Sequence, residues 1–207
     1  MTLKKKFIRL ALESQVLQFG SFTLKSGRQS PYFFNAGLFY DGEALRQLGH
    51  CYAQLLLEKK VNCQHLFGPA YKGFTLVTAT AIALAEQGIA TKVTFNRKEA
   101  KDHGEGGELI GAPLSGKIVV IDDVITAGTA FRQAEQLIAR HHAQISTLVV
   151  ALDRCEKGQG DVSAIAEVKA RGIEVLSIIT LYDLIDYLEE EQSVTQARVL
   201  RDYASTC

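Results

Sequence analysis

The sequence predicts an α/β fold, a mainly parallel central sheet flanked by helices, on three observations. Short apolar runs recur from residue 65 onward, at His65 to Gly68, Thr91 to Phe95, Lys117 to Ile121, Thr147 to Leu152 and Val175 to Ile179. Helical periodicity fills most of the gaps: over Phe74 to Glu86, through Phe131, Ala134, Leu137 and Ile138, near Ile165 to Arg171, and through Leu181, Leu184, Ile185 and Leu188. The Val/Ile runs are continuous rather than alternating, which marks strands covered on both faces. Ligands of such sheets bind beyond the carboxyl ends of the strands.

Taken in order, Leu3, Phe7, Leu10, Ala11 and Leu17 recur at helical spacing and open the chain with a helix. The character then changes. Phe19, Phe22, Leu24, Tyr32, Phe33 and Phe34 are broken by Gly20, Gly27 and Pro31, so short strands and turns make residues 1–40 an N-terminal hood. Leu45, Leu48, Tyr52, Leu55 and Leu56 give an amphipathic helix before an α/β core over 60–190. Asn96 to Pro113 has little apolar content and includes Gly104, Gly106, Gly107 and Gly111. A loop that long in a compact domain predicts a mobile functional lid over 97–112. Periodicity is weak after Glu190, which reads as a frayed helix. Residues 1–207 are expected to form one domain.

Composition narrows the function classes. Lys plus Arg and Asp plus Glu are both 23, so the net charge is zero and no global basic field draws nucleic acid. The four cysteines, Cys51, Cys63, Cys155 and Cys207, show no C-x-x-C spacing, which suits reduced thiols better than zinc ligands. A domain of this size buries about 70% of its extended-chain surface and needs no staple. Lys4, Lys5 and Lys6 hint at a signal peptide, but Arg9 and Glu13 interrupt the apolar run after them and no A-x-A site appears. No run approaches the ~20 apolar residues of a membrane span. The expectation is a soluble, cytoplasmic protein with no nucleic-acid or membrane partner.

The most informative segment runs from Val119 to Ala130. An apolar strand ends in Asp122 and Asp123, a Thr/Gly turn follows, and a helix begins near Thr129. Amides at that helix start form an anion site, Thr126 and Thr129 add hydroxyl donors, and Gly128 admits a phosphate close to the backbone. The two carboxylates repel a naked phosphate but accept hydrogen bonds from a ribose diol, and they suit hydrated Mg²⁺ and a developing positive charge. The run is neither a Walker loop nor a dinucleotide fingerprint, because both glycine spacings are missing. A ribose phosphate fits best. Upstream, Phe67 to Gly73 makes a tight turn whose amides and Lys72 ammonium suit a diphosphate.

In the lid, Arg97, Lys98, Lys101 and His103 lie among glycines. Cations closing over a departing diphosphate stabilise its charge, and closure excludes water from an activated sugar. In the hood, aromatic rings suit stacking on a flat base. Arg154 follows a core strand, at the edge where ligands sit, and is suited to clamping a carboxylate in bidentate fashion or to a surface salt bridge.

The run Val120 to Ala130 resembles the signature of the type I phosphoribosyltransferases for 5-phosphoribosyl-1-diphosphate (PRPP). Hood, turn, lid and signature, in that order over roughly residues 15–190, resemble the orotate phosphoribosyltransferases. That resemblance implies the type I phosphoribosyltransferase fold and Mg²⁺-dependent transfer of phosphoribose from PRPP to orotate in pyrimidine biosynthesis. It implies that Asp122 and Asp123 hold the ribose hydroxyls, and that Val124, Ile125, Thr126, Ala127, Gly128, Thr129 and Ala130 complete the PRPP site. The stretch from Thr126 to Ala130 would hold the 5-phosphate. Lys25, Tyr71, Lys72, Arg97, Lys98, Lys101 and His103 become PRPP or pyrophosphate contacts, with Lys101 the main catalytic cation and Glu105 orienting the closed lid. Phe33, Phe34, Thr126 and Arg154 become orotate contacts. Mg²⁺ is held chiefly by substrate, through water to Asp122 or Asp123. A homodimer is implied, with Arg97, Lys101 and Lys25 reaching across, and one activity without a decarboxylase. Two rivals are a phosphoribosyltransferase for another base, such as a purine, and a PRPP-sensing regulator that binds nucleic acid. The hood and Arg154 speak against the first; the neutral charge and the lid cations speak against the second.

Overall fold

The computed structural model describes residues 1–24, 27–101, 107–125, 128–156 and 162–206, without the side chains of 98–101. The hood is an antiparallel hairpin of β1 (Leu17–Thr23) and β2 (Gln29–Phe34). The core holds β3 (His65–Gly68), β4 (Lys92–Lys101), β5 (Gly107–Gly111), β6 (Gly116–Val124), β7 (Ala143–Asp153) and β8 (Glu174–Thr180). These form one six-stranded sheet in the order β5-β4-β3-β6-β7-β8. All neighbours pair in parallel except β5, which returns antiparallel along β4. The predicted α/β class and mainly parallel sheet match what is observed.

Residue alternation explains why the strands read as unbroken apolar runs. Along β6, Val119 and Ile121 join one core cluster with α1 (Leu3–Glu13), α2 (Gly42–Glu58), α3 (Lys72–Glu86) and α6 (Leu181–Glu190). Ile118 and Val120 point the other way, into a second cluster with α4 (Thr129–Arg140) and α5 (Ala164–Ala170). Both faces must therefore be apolar. All four side chains are fully buried, each contributing about 1.5–3 kcal/mol relative to exposure.

The strand order creates the site. From β3 the chain moves outward to β4 and then returns to lay β6 on the opposite side of β3. The crevice beyond the carboxyl ends of β3 and β6 is the switch point at which α/β sheets bind ligands.

Two segments carry more regular structure than their sequences suggest. β4 continues to Lys101 and β5 pairs back along it, so the lid region is a β-hairpin wherever it is described. An edge hairpin is held by backbone hydrogen bonds and tolerates charged side chains, so it leaves little apolar period to read. The tail forms α7 (Val194–Ala204), which buries Ala197, Leu200 and Tyr203 against α6 and the hood. Among the described residues, no helix is long and apolar enough to cross a membrane.

Candidate active site

Two turns meet at the switch point. After β3, the chain closes so tightly that a Cβ on Gly68 would lie 2.3 Å from the Gly73 carbonyl oxygen. A side chain at either glycine would force the turn open. The turn includes a cis peptide at Ala70–Tyr71. Its Ala70 amide donates to Asn96 Oδ1 on β4 at 2.8 Å, which ties the turn to the base of the lid hairpin.

After β6 come the acidic pair and α4. Lys72, the first residue of α3, donates to Asp123 Oδ2 at 2.6 Å. The Asp123 amide donates to Asp122 Oδ1, and the Val124 amide donates to Asp123 Oδ1, both at 2.9 Å. Tyr52 of α2 donates to the Asp122 carbonyl at 2.8 Å and props the strand end from below. Burial, and then the adjacent Asp123 carboxylate, push the Asp122 carboxyl well above its ordinary range, and Lys72 opposes the rise. Lys72 thus pairs with Asp123, and Asp122, held protonated by burial and by its neighbour, is a carboxyl that hydroxyl donors or a cation would favour in its ionised form.

The start of α4 suits an anion. Gly128 stands at its N-cap in the left-handed region, with φ 69°, and offers no side chain to the first amides. By contrast Asp41, Ser163 and Thr180 cap α2, α5 and α6 through their side chains. Amides at a helix start that the N-cap side chain leaves uncapped can bind phosphate. Arg154, just past β7, is almost fully buried and pairs with Glu156 at 2.7 Å.

A model of the phosphoribosyl transferase domain matches residues 39–171. The orotate phosphoribosyltransferase of Legionella pneumophila (strain Paris) is 59% identical over 200 residues, covering 97% of this chain and 95% of that protein. That of Photorhabdus laumondii is 57% identical, covering 89% of this chain and 88% of its own. A crystal structure of orotate phosphoribosyltransferase from Francisella tularensis superposes with a TM-score of 0.86 at 41% identity, covering 97% of this chain and 98% of that one. The chain belongs to the orotate phosphoribosyltransferase family.

Against that family's expected site, Tyr71, Lys72, Asp122, Asp123, Val124, Ile125, Gly128, Thr129 and Ala130 do gather at the ends of β3 and β6. Tyr71 is exposed with its ring edge-on to Phe74, and Ile125 packs against the second core cluster. Arg97 lies on β4, and its buried Nε has no hydrogen-bond partner among the described residues. Lys98 and Lys101 also lie on β4, but their side chains are outside the described structure. Lys25, His103, Glu105, Thr126 and Ala127 lie outside the described residues.

Two expectations for the orotate phosphoribosyltransferase base pocket change. The pleat of β2 sends neighbouring side chains to opposite faces. Phe33 is outward and stacks on Phe22 at 5.5 Å, whereas Phe34 is buried with its ring 6.2 Å from Phe7. The Phe34 ring is therefore packed in the core and not available for stacking. Arg154 does not present a free fork either, because Nε and Nη2 both donate to Glu156 Oε1. Sequence reasoning missed Tyr52, Asn96 and Glu156 as site supports. Tyr52 and Asn96 act through long-range contacts that no local pattern signals, and Glu156 joins its near neighbour Arg154 to the distant Tyr203.

Proposed function

We propose that the chain transfers the 5-phosphoribosyl group of PRPP to N1 of orotate, giving orotidine 5'-phosphate and pyrophosphate in UMP biosynthesis. The observation that carries this is the Lys72–Asp123 contact, which sets a diphosphate-type turn beside a diol-type acid pair at the switch point. The relatives at 57–59% identity support the choice of orotate as the base.

In this reading the amides of α4 hold the 5-phosphate, and Asp122 and Asp123 accept hydrogen bonds from the ribose hydroxyls. The C1–O bond loosens ahead of attack by N1. Positive charge then grows at C1, where the carboxylates stabilise it, and negative charge grows on the diphosphate, where Lys72 and the lid cations do. Orotate binds as its carboxylate anion, and as the N1–C1 bond forms the N1 proton passes to the departing diphosphate or to water, so no strong general base from the chain is needed. Lys101 is the lid cation assigned to this charge, with Arg97, Lys98 and His103 beside it and Lys25 on PRPP.

The acid pair offers carboxylate oxygens, the donor type a hard hydrated cation takes, and Mg²⁺ would be held through water by Asp122 or Asp123 while substrate oxygens supply most ligands. When bound, it supplies charge neutralisation at the diphosphate. The working unit is a homodimer in the cytoplasm, with Arg97, Lys101 and Lys25 reaching across. An apolar groove of about 430 Å³, lined by Leu45, Phe74, Ile82 and Phe95, supports such a subunit contact.

The test is pyrophosphate release from PRPP with Mg²⁺ present. Release that depends on orotate, and not on uracil or adenine, is the expected result. Equal release with another base, or none with orotate, overturns the assignment. Chelation by EDTA is expected to abolish release and excess Mg²⁺ to restore it.

A further inference from the structure

Arg154 is gripped from three parts of the chain. Its Nε and Nη2 donate to Glu156 Oε1 at 2.8 and 2.7 Å, and Nη2 also donates to Ser30 Oγ at 3.0 Å. The guanidinium carbon lies 4.2 Å from the centroid of the Tyr32 ring. Glu156 Oε1 in turn accepts from Tyr203 Oη at 2.6 Å, and the Tyr203 ring stands edge-on to Tyr32 at 6.1 Å. Ser30 and Tyr32 belong to the hood, Glu156 follows β7, and Tyr203 comes from α7.

The charges are consistent with a permanent arrangement. Burial alone disfavours the Arg154 cation, but Tyr32, Glu156 and Tyr203 outweigh it and raise its pKa. Burial, and then Glu156, raise the Tyr203 pKa, so its phenol keeps the proton it donates.

We infer that Glu156 and Tyr203 are positioning residues for the base site, fixing the Arg154 guanidinium so that it recognises the pyrimidine from one orientation. This rests on the reading that Arg154 contacts orotate. The Nε–Nη2 edge, which would fork a carboxylate, is occupied by Glu156, so the base meets this guanidinium elsewhere on its rim. A contact of that kind depends on angle and depth, and a flexible arginine holds neither without a brace. The C-terminal helix α7 thereby becomes part of base recognition, although its sequence carries no binding motif. The charge of Glu156 also leaves the buried pair near neutral, which disfavours capture of inorganic anions at the base site.

The experiment compares Tyr203→Phe, Glu156→Ala, Glu156→Gln and Arg154→Lys in steady-state assays with both substrates. Tyr203→Phe keeps the ring packing and removes only the hydroxyl. It and Glu156→Ala are expected to raise the KM for orotate roughly tenfold, the usual scale for a hydrogen bond to a charged group, with the KM for PRPP within about twofold. Glu156→Gln keeps an acceptor oxygen and should restore much of what Glu156→Ala loses. Arg154→Lys should raise the orotate KM at least as far. If Arg154→Lys leaves that KM unchanged, the reading of Arg154 itself fails. If only Arg154→Lys has an effect, the positioning role is overturned while Arg154 stands. If the two KM values and the melting temperature shift together, the network is scaffold only and the inference is wrong.

Discussion

Replacing Lys72 by Met would separate two roles of one side chain. Met keeps most of the apolar stem and removes the ammonium that lies 2.6 Å from Asp123 Oδ2. Breaking a fully buried pair costs about 3–5 kcal/mol, and breaking an exposed one about 0–1 kcal/mol. Asp123 is only 7% exposed but Lys72 is 47% exposed, so solvent screens much of the interaction. The expected loss is about 1–2 kcal/mol, a fall of roughly 3–6 °C in melting temperature for a domain of this size. The pH dependence has a definite sign. The folded-state pKa of Asp122 is raised by burial and by Asp123, so the folded state holds a proton that the unfolded state releases. Its contribution to stability is therefore lost as pH rises above about 4, the unfolded value, towards the raised folded value. Lys72 opposes that rise, so Lys72→Met should make the decline steeper at neutral and alkaline pH. Differential scanning fluorimetry across pH reads both effects. The double variant Lys72→Met with Asp123→Asn should recover most of the lost stability, because the buried Asp123 charge that lost its ammonium is itself removed. It should not recover the KM for PRPP, where the ammonium serves the diphosphate. An unchanged melting temperature with an unchanged pH slope in Lys72→Met would refute the reasoning.

Gly68→Ala should destabilise the protein by more than about 2 kcal/mol or prevent soluble expression, because its Cβ would meet backbone at Gly73 rather than a movable side chain. Urea unfolding checks it, and near wild-type stability would mean that the turn can open at little cost. Asn96→Ala removes the acceptor for the Ala70 amide and should raise the KM for PRPP several-fold, while costing about 1 kcal/mol in stability. Paired kinetics and unfolding measure this, and a change confined to the orotate KM would contradict it.

The core was legible because it is periodic. β3, β6, β7 and β8 fall on the apolar runs, and α3, α4 and α6 on the helical patterns, with boundaries differing by a few residues. The acid pair, the Gly68–Gly73 turn and the Gly128 helix start were legible because each needs special residues in sequence. The lid hairpin and α7 were harder. β5 is an edge strand of five residues, half-buried at Glu108, Leu109 and Ile110 and too short to show a period, and α7 buries only a narrow stripe. Phe33 and Phe34 looked equivalent until the pleat of β2 assigned them to opposite faces.

Sequence by itself determined the elements and the chemistry of each turn, because helix period, strand run and turn residues are local properties. It did not determine which turns meet. Lys72 and Asp123 are 51 residues apart, and only the placement of β6 beside β3 brings them together. Tyr203 reaches Glu156 across 47 residues for the same kind of reason. An apolar pattern reports that a face must be covered. Which element covers it is settled by how all the elements pack at once.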